Sequence, residues 1–346
     1  MHRKVTSHDV ARAAGVSRAT VSYVLNGRSG QSISETTRQR VLSAAATLGY
    51  APSTAARTLR RGQSDLVLML LPPEPLGRAL AMVLDAASDQ VERYGLRLIA
   101  HRLPASGGAV ELVRSLAPAA LILTTPLSAE ELAALRSLEV PLASLQQEMD
   151  DPLGPDLGIG ALQVTHLAEA GHTRLGVAVP DSPGYAWRVA VRLAAIEHAC
   201  ARLGLRPPAV ERIRLQAPDA AAAVARWTQG PEPVTGACAF DDDYGFALLS
   251  GLVSHGLSAP ADLAVIGAED LPLAGLAVPP LTTVSVHARM LGALFAQLAI
   301  APLLGADADA DADAHVDSQL GGSRPGSETT AGQPVPPVTL VQRASA

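Results

Sequence analysis

Apolar residues in the first 50 positions recur at helical spacing and predict three short helices separated by polar turns. Thr6 and Asp9 come close to a capping box for the first helix, and Gly15 suits the sharp turn that follows it. The apolar face of this helix is formed by Val10, Ala13 and Ala14. Ser34 is the predicted cap of the third helix, whose apolar stripe is formed by Val41, Leu42, Ala45 and Leu48.

The second helix carries apolar and polar residues on opposite faces. Ser17 is its predicted cap, and its apolar face is formed by Val21, Val24 and Leu25. The outward-pointing residues are Arg18, Ala19, Ser22 and Tyr23. Two helices joined by a tight turn, with an exposed polar face on the second, predict a helix-turn-helix that contacts DNA bases. An ordinary α-hairpin is the alternative interpretation.

From residue 65 onward, short apolar runs alternate with amphipathic helices, a pattern typical of βαβ units and a parallel sheet. The predicted strands span 66–71, 96–100, 119–123, 142–145, 175–179, 213–215, 236–240, 263–266 and 279–284. The predicted helices span 80–93, 110–116, 129–138, 159–170, 189–203, 220–228, 244–255 and 287–304. A Pro-, Gly- and Asp-rich stretch at 150–158 separates two such sets, so we expect two α/β halves with a cleft at the carboxyl ends of their strands.

Two segments differ in composition from the rest of the chain. Residues 53–64 permit a helix but bury little, so they form either a linker or a helix that folds only against DNA, with Leu59 as a wedge in the minor groove. Residues 305–333 contain an Asp-Ala repeat and Gly-, Ser- and Pro-rich sequence, and they are predicted to be a disordered insertion. Solvated carboxylates at regular spacing lack a rigid cage, so no metal ligand is predicted.

Charge is unevenly divided along the chain. Residues 1–64 contain ten basic and two acidic residues, a net charge of +8, whereas the whole chain carries −6, so the remainder carries −14. A basic segment joined to an acidic body indicates that the segment binds phosphate. No run of 18 apolar residues and no signal-peptide pattern occurs, which predicts a cytoplasmic protein that does not enter a membrane. Cys200 and Cys238 lack metal-ligand spacing and are expected to be reduced.

Short motifs along the chain occur in an order that identifies a family. In the first 64 residues they include Val5-Thr6, Asp9-Val10-Ala11, Ala14-Gly15-Val16-Ser17, Thr20-Val21-Ser22, Val24-Leu25-Asn26-Gly27 and Gly49-Tyr50-Ala51-Pro52. In the body they are 168–176, 262–267 and 279–284. These motifs resemble those of the lactose-repressor (LacI/GalR) family of bacterial transcription regulators. The resemblance covers roughly residues 5–304 and a final strand at 337–343.

The resemblance implies a fold class, namely a small all-α helix-turn-helix head plus an α/β periplasmic-binding-protein-like body of two parallel-sheet subdomains. The resulting domain prediction is a head at 1–52, a hinge at 53–64, a body at 65–304 and the insertion at 305–333. Within the body, the N-subdomain comprises about 65–154 plus 285–304, and the C-subdomain comprises about 157–283 plus 337–343.

The resemblance also implies DNA contacts. Arg18, Ala19 and Tyr23 would lie in the major groove. Phosphates would be contacted by Thr6, Ser17, Thr20, Ser22 and Asn26. Ala56 and Leu59 would enter the minor groove at the centre of the operator. Tyr23 stands where arginine is frequent in the family, so the resemblance does not indicate which base Tyr23 contacts.

By the same resemblance, Arg192 at the start of a helix and Asp242 just after a strand would bind an effector. A guanidinium donates two hydrogen bonds in a fixed fork, and a carboxylate accepts two from sugar hydroxyl groups. A surface arginine is the alternative for Arg192, and a residue that favours a helix N-terminus is the alternative for Asp242. Trp187 and Gln146 are further candidates, with a core position as the alternative for Trp187. The resemblance favours a carbohydrate or related polar metabolite.

We therefore predict a homodimeric, effector-controlled transcriptional repressor that binds a pseudopalindromic operator in double-stranded DNA. One rival is a solute-binding receptor built on the same body, which the basic head and the lack of a signal peptide disfavour. The other is an enzyme on the α/β scaffold. The chain has no G-x-S-x-G elbow, no P-loop and no G-x-G-x-x-G after a strand, so no catalytic residue and no cofactor are predicted.

Overall fold

The computed structural model describes residues 5–25, 33–48, 64–104, 106–144, 156–304 and 338–346. The chain divides into two compact units, Met1–Asp65 and Leu66–Ala346, which we call the head unit and the body and describe separately. The predicted insertion and nearly all of the predicted hinge lie outside the described residues. Their limits therefore stay predictions.

Three short helices form the described part of the head unit. They are α1 (Ser7–Ala14), α2 (Arg18–Leu25) and α3 (Glu35–Thr47). The predicted capping box is confirmed. Thr6 Oγ1 accepts from the N–H of Asp9 at 3.4 Å, and Asp9 Oδ2 accepts from the N–H of Thr6 at 2.9 Å. Gly15 follows α1 in the left-handed conformation with φ of 63°. Ser34 caps α3 by accepting from the N–H of Thr37.

The helices of the head unit enclose a small apolar core. Its buried side chains are Val10, Ala11, Ala14, Val21, Val24, Val41 and Ala45. Two expectations about this core are wrong: Ala13 is exposed, with Ala11 buried instead, and Leu42 is 42% exposed. Alanines occupy several faces of α1, so apolar spacing alone does not determine which of them faces the core.

The first sheet of the body is parallel, with strand order β2-β1-β3-β4. The strands are β1 (Leu66–Leu71), β2 (Arg97–Arg102), β3 (Ala120–Leu123) and β4 (Leu142–Ser144). The helices that connect them are α4 (Arg78–Arg93), α5 (Ala109–Leu116) and α6 (Ala129–Arg136). Alternate residues of β1 enter two different cores: Val67 and Met69 pack on the side of α4, whereas Leu68 and Leu70 pack on the side of α5. Burial on both faces explains why β1 is continuously apolar.

The second sheet has strand order β10-β9-β8-β7-β5-β6, in which β10 runs antiparallel to β9 and the other neighbours pair in parallel. The strands are β5 (Leu175–Pro180), β6 (Ala209–Ile213), β7 (Gly236–Ala239), β8 (Ala264–Ala268), β9 (Thr282–Ser285) and β10 (Thr339–Val341). The helices are α7 (Ile159–Glu169), α8 (Ala186–Arg202), α9 (Ala217–Thr228) and α10 (Asp242–Ser254), with 3-10 turns at Pro183–Tyr185 and Ala274–Leu276.

Helix α11 (Ala288–Leu304) packs against α4, β3 and β4 of the first sheet. We therefore call the first sheet with α4, α5, α6 and α11 lobe 1, and the second sheet with its helices lobe 2. The predicted fold class, a helical head plus an α/β body with two largely parallel sheets, is confirmed.

One predicted strand is misplaced. The structure has β6 at Ala209–Ile213 rather than at 213–215, and Leu215 is exposed. This strand lies at the edge of its sheet and pairs with β5 alone. Its outer positions are polar or exposed, including Glu211, which binds Arg226 on α9. An edge strand buries little, so its apolar signal is weak.

Residues after β10 complete lobe 2. Ser345 is fully buried, and its Oγ donates to the carbonyl oxygen of Val265 in β8 at 2.6 Å. The same Oγ accepts from the N–H of Thr282 in β9 at 2.8 Å. One hydroxyl group therefore joins two neighbouring strands near the edge of the sheet.

A glycine permits the close packing of α4 and α11. A Cβ built on Gly292 would overlap the carbonyl oxygen of Val83 and lie 2.9 Å from its carbonyl carbon. We expect Gly292→Ala to lower the free energy of unfolding of the body by about 1–3 kcal/mol, because overlap with rigid backbone outweighs the gain of about 1 kcal/mol in helix propensity. Urea unfolding followed by tryptophan fluorescence measures this effect, since both tryptophans lie in the body.

Gly230→Ala is the control for this prediction, because its Cβ would meet one atom, the Arg226 carbonyl oxygen, at an ordinary 3.5 Å. Its effect is expected to stay within about 0.5 kcal/mol. Equal stability of the two variants would contradict the packing argument.

Candidate DNA-contacting helix and interlobe site

Helix α2 presents a polar surface because its valines belong to the core of the head unit. Val21 and Val24 are buried. Arg18 and Ala19 are exposed, and Tyr23 is half-buried. An exposed guanidinium and a phenol on one helix can donate hydrogen bonds to base edges or to phosphate oxygens.

Hydroxyl groups cluster at the beginning of α1 and α2. Ser17 Oγ accepts from the N–H of Thr20 at 3.1 Å and lies 2.9 Å from Thr20 Oγ1, so it caps α2. Thr6 is exposed, and its hydroxyl group donates to Asp9 Oδ2 at 2.7 Å. Ser22 is half-buried on α2. Hydroxyl groups and free N–H groups at helix starts are common phosphate contacts in DNA-binding proteins.

Four predicted site residues lie outside the described part of the chain. They are Asn26, Ala56, Leu59 and Gln146. Their proposed contacts with DNA or effector rest on the sequence alone and stay predictions.

Arg192 lies inside lobe 2, not on its surface. Its side chain is buried, with Nε donating to Asp156 Oδ1 at 2.5 Å and Nη1 donating to the Phe240 carbonyl oxygen at 2.5 Å. The other oxygen of Asp156 accepts from the N–H of Gly160 near the start of α7. The surface-arginine alternative is therefore wrong. The guanidinium has protein partners, and its role as an effector ligand stays a prediction.

Asp242 is also fully buried, at the first residue of α10. Oδ1 accepts from Thr283 Oγ1 at 2.5 Å, and Oδ2 accepts from the N–H of Leu271 at 2.6 Å. Burial raises the pKa of this carboxyl group to about 7, although both hydrogen bonds favour its ionised form. The helix is capped by the neighbouring Asp241, which accepts from the N–H of Tyr244. Binding of an effector by Asp242 stays a prediction.

The structure brings together three charged residues that the sequence analysis did not single out. Arg188 Nη2 donates to Glu269 Oε1 at 3.2 Å, and Arg188 Nη1 lies 4.0 Å from Glu74 Oε1. Glu74 follows β1 of lobe 1, whereas Arg188 on α8 and Glu269 after β8 belong to lobe 2. The two lobes are in contact here, since a Cβ on Gly184 would lie 3.4 Å from the Cα of Glu74. We call Glu74, Arg188 and Glu269 the interlobe triad.

Burial disfavours charge on the carboxyl groups near the triad. It raises the pKa of Glu74, and a backbone hydrogen bond and the charge of Arg188 oppose this shift only in part. Burial likewise raises the pKa of Glu269, against the lowering effect of Arg188. The pKa of Asp241 is raised by burial and by the nearby charge of Glu269. The carboxyl groups in this region therefore gain stability from a cation or a proton.

Aromatic rings line the same region of lobe 2. Tyr185 and Tyr244 each pack edge-on against Phe240, with ring centroids 5.9 and 6.0 Å apart. The guanidinium of Arg188 lies 4.9 Å from the centroid of the Phe240 ring. Trp187 is 42% exposed on α8, so the core alternative for this residue is wrong.

Two sequence signals could have indicated the triad. Arg188 precedes Arg192 by one helical turn and lies on the same face of α8. Glu74 and Glu269 follow strands β1 and β8, at the carboxyl ends where open α/β sheets bind ligands. The pattern does not show which of the residues after each strand meet across the lobes.

The described ranges contain neither a metal-binding cluster nor a membrane-spanning helix. There, no group of three or more His, Cys, Asp or Glu residues has the geometry to hold a metal ion. None of the helices described is both long enough and apolar enough to span a bilayer.

Similarity to known proteins extends over both the head unit and the body. Residues 6–53 match the model of bacterial regulatory proteins of the lacI family, and residues 164–346 match a periplasmic binding protein-like domain. The HTH-type transcriptional regulator MalR of Streptomyces coelicolor is 32% identical over 320 residues, which cover 86% of this chain and 88% of MalR. The chain belongs to the LacI family of bacterial regulatory proteins.

Other members support this assignment. The HTH-type transcriptional repressor PurR of Vibrio campbellii is 29% identical over 306 residues, covering 83% of this chain and 88% of PurR. The lac repressor dimer bound to operator and the anti-inducer ONPF has the same fold, with a TM-score of 0.73 at 23% identity over 99% of each chain. This LacI-family protein is a DNA-binding transcriptional regulator and not an enzyme. The receptor alternative is excluded, because the match includes the DNA-binding segment.

The buried carboxyl group of Asp242 should make the stability of the body depend on pH. Its pKa is about 7 in the folded protein and about 4 in an unfolded chain. Between these values the folded protein retains a proton that the unfolded chain has lost, so stability falls as pH rises towards 7. We expect Asp242→Asn to remove on the order of 2 kcal/mol of this decline between pH 5 and 8. Urea unfolding followed by tryptophan fluorescence at each pH measures it.

Asp243→Asn is the matched control, because Asp243 is adjacent but exposed. This variant should keep the pH dependence of the wild type. If the free energy of unfolding of Asp242→Asn changed with pH as it does in the wild type, Asp242 would be excluded as a titrating group. The free energy of unfolding of Asp242→Asn should still depend on pH to some extent, because the pKa values of Glu74, Asp241 and Glu269 are also raised.

Proposed function

We propose that this regulator is a homodimeric repressor whose two heads bind the half-sites of a pseudopalindromic operator. The observation that carries the proposal is the exposed polar face of α2, within a segment that matches the LacI-family DNA-binding model. The solved lac repressor is a dimer bound to operator, which supports the same assembly here. A twofold protein requires a site with twofold symmetry. A regulator of bacterial genes acts on the chromosome, so we place it in the cytoplasm.

The proposed DNA contacts fall into three groups. Arg18, Ala19 and Tyr23 contact base edges in the major groove. Hydroxyl and amide groups contact phosphates, from Thr6, Ser17, Thr20, Ser22 and Asn26. Ala56 and Leu59 enter the minor groove at the operator centre, where an apolar side chain can separate base steps.

The proposed effector site lies at the interlobe triad. Glu74 comes from lobe 1, whereas Arg188 and Glu269 come from lobe 2, so a ligand that contacts all three stabilises one angle between the lobes. Arg192 and Asp242 complete the site in this proposal. The guanidinium groups of Arg188 and Arg192 lie 4.9 and 5.4 Å from the centroid of the same ring, that of Phe240. Trp187 and Gln146 are the remaining proposed contacts.

Effector binding would control DNA binding through the angle between the lobes. A change in that angle alters the separation of the two hinge segments in a dimer and hence their ability to fold on DNA. A coupling free energy of about 1–3 kcal/mol changes operator affinity by a factor of about 5 to 150, which is sufficient for regulation.

Selection from random DNA with the full-length protein tests the proposal directly. We expect enrichment of a pseudopalindrome about one to two helical turns long, because each head contacts one half-site. Titration over a salt series should show tighter binding to this site than to unrelated DNA at every salt concentration. Enrichment of no sequence, with the steep salt dependence of non-specific binding alone, would contradict the proposal.

Substitution of Arg18 tests the role of α2. Arg18→Ala should weaken binding to the selected operator about 10- to 100-fold, because a direct base contact is worth about 1–3 kcal/mol. Arg40→Ala removes the same charge from an exposed position on α3 and serves as the control. On unrelated DNA, the affinities of both variants should fall by a similar and smaller factor. Equal losses on the operator would exclude base contact by Arg18.

A further inference from the structure

Acidic side chains predominate around the interlobe triad. Those that interact electrostatically in this region are Glu74, Asp181, Asp241, Asp243 and Glu269. The cations are Arg102, Arg188 and Arg192, and Arg192 is paired with Asp156. The region therefore contains more negative than positive charge when its carboxyl groups are ionised.

One carboxylate oxygen in this region lacks a partner. Glu74 is 95% buried, since its exposure is 5%, and its Oε1 has no hydrogen-bond partner in the described structure. The nearest cation group is Arg188 Nη1, at 4.0 Å, and the other terminal nitrogen of Arg188 is bound to Glu269. A buried carboxylate oxygen without a hydrogen bond is costly, so a ligand donor that reached Oε1 would stabilise it.

Aromatic rings lie beside the triad, and the buried ring of Phe240 already contacts the guanidinium groups of Arg188 and Arg192. Tyr185, Phe240 and Tyr244 form an edge-to-face series next to Arg188. The face of an aromatic ring attracts a nearby cation, as it does the guanidinium of Arg188 over Phe240. The excess of acidic groups over cations therefore favours a positively charged ligand over a neutral or negative one.

We propose that the effector carries a protonated amine, which binds between Glu74 of lobe 1 and the Asp241 and Glu269 carboxylates of lobe 2. This inference rests on the proposed function, since it gives the chemical class of the effector for the same site. The amine donates to Glu74 Oε1 and reduces the repulsion among the carboxylates. A neutral polyol leaves their charge uncompensated, and an anion is repelled by them.

Matched ligands on the full-length protein test this inference. Thermal unfolding is followed by tryptophan fluorescence at pH 8 with glucosamine, glucose or glucuronate, and with 1,4-diaminobutane, 1,4-butanediol or succinate. At least one amine should raise Tm more than its neutral and acidic partners do. A rise of about 2–4 °C is expected at ten times its Kd.

Glu74→Gln should abolish the rise in Tm caused by the amine. It should also raise Tm in the absence of ligand, because it replaces a buried charged group, one of whose oxygens has no partner, by a neutral amide. Glu92→Gln, at an exposed position on α4 of the same lobe, is the control and should keep the wild-type response. A rise that persists in Glu74→Gln overturns the inference.

The same experiment separates this inference from the proposed function. If no amine raises Tm more than its neutral partner, the amine assignment is overturned. Greater stabilisation by glucose or glucuronate than by either amine would overturn it as well, but would support an interlobe effector site. Selection of an operator needs none of these ligands, so its failure would contradict the proposed function and not the charge of the ligand.

Discussion

The buried ion pair between Arg192 and Asp156 is the interaction on which the arrangement of α7, α8 and the end of β7 in lobe 2 depends. Arg192 on α8 reaches Asp156 before α7 and the Phe240 carbonyl oxygen after β7. Asp156 in turn accepts from the N–H of Gly160. Three elements thus meet at one guanidinium. Removal of either charge would leave the other buried without its partner, at a cost of about 3–5 kcal/mol.

This arrangement gives the two arginines of α8 different functions. Arg192 is enclosed and fixes the position of the helix, whereas Arg188, one turn earlier, is about one-third exposed and reaches lobe 1. Helices α7 and α8 also pack closely, since a Cβ on Gly160 would lie 2.8 Å from Ile196 Cγ1. The rigid contact lies in lobe 2, and the weaker charged contact lies between the lobes.

The sequence predicted the elements better than the site. The Leu-rich run of β1 is buried on both faces, and the Thr6–Asp9 cap is a local pattern, so both could be predicted from neighbouring residues. The position of the edge strand β6 could not be predicted in this way, because its residues are partly exposed. Glu74 and Glu269 are almost 200 residues apart, and no periodicity reports which carboxylates meet across two lobes. Glu269 also has φ of 94°, a backbone conformation that its residue type does not indicate.

The hydrogen bonds of Ser345 determine how late in synthesis the second sheet can be completed. Synthesis proceeds from the amino end, so the helices of the head unit leave the ribosome first. Strands β8 and β9 of lobe 2 emerge later, but Ser345, which joins them, and β10, which pairs with β9, come after a long intervening segment. A nascent chain therefore carries a complete helix-turn-helix before the second sheet of its body is finished.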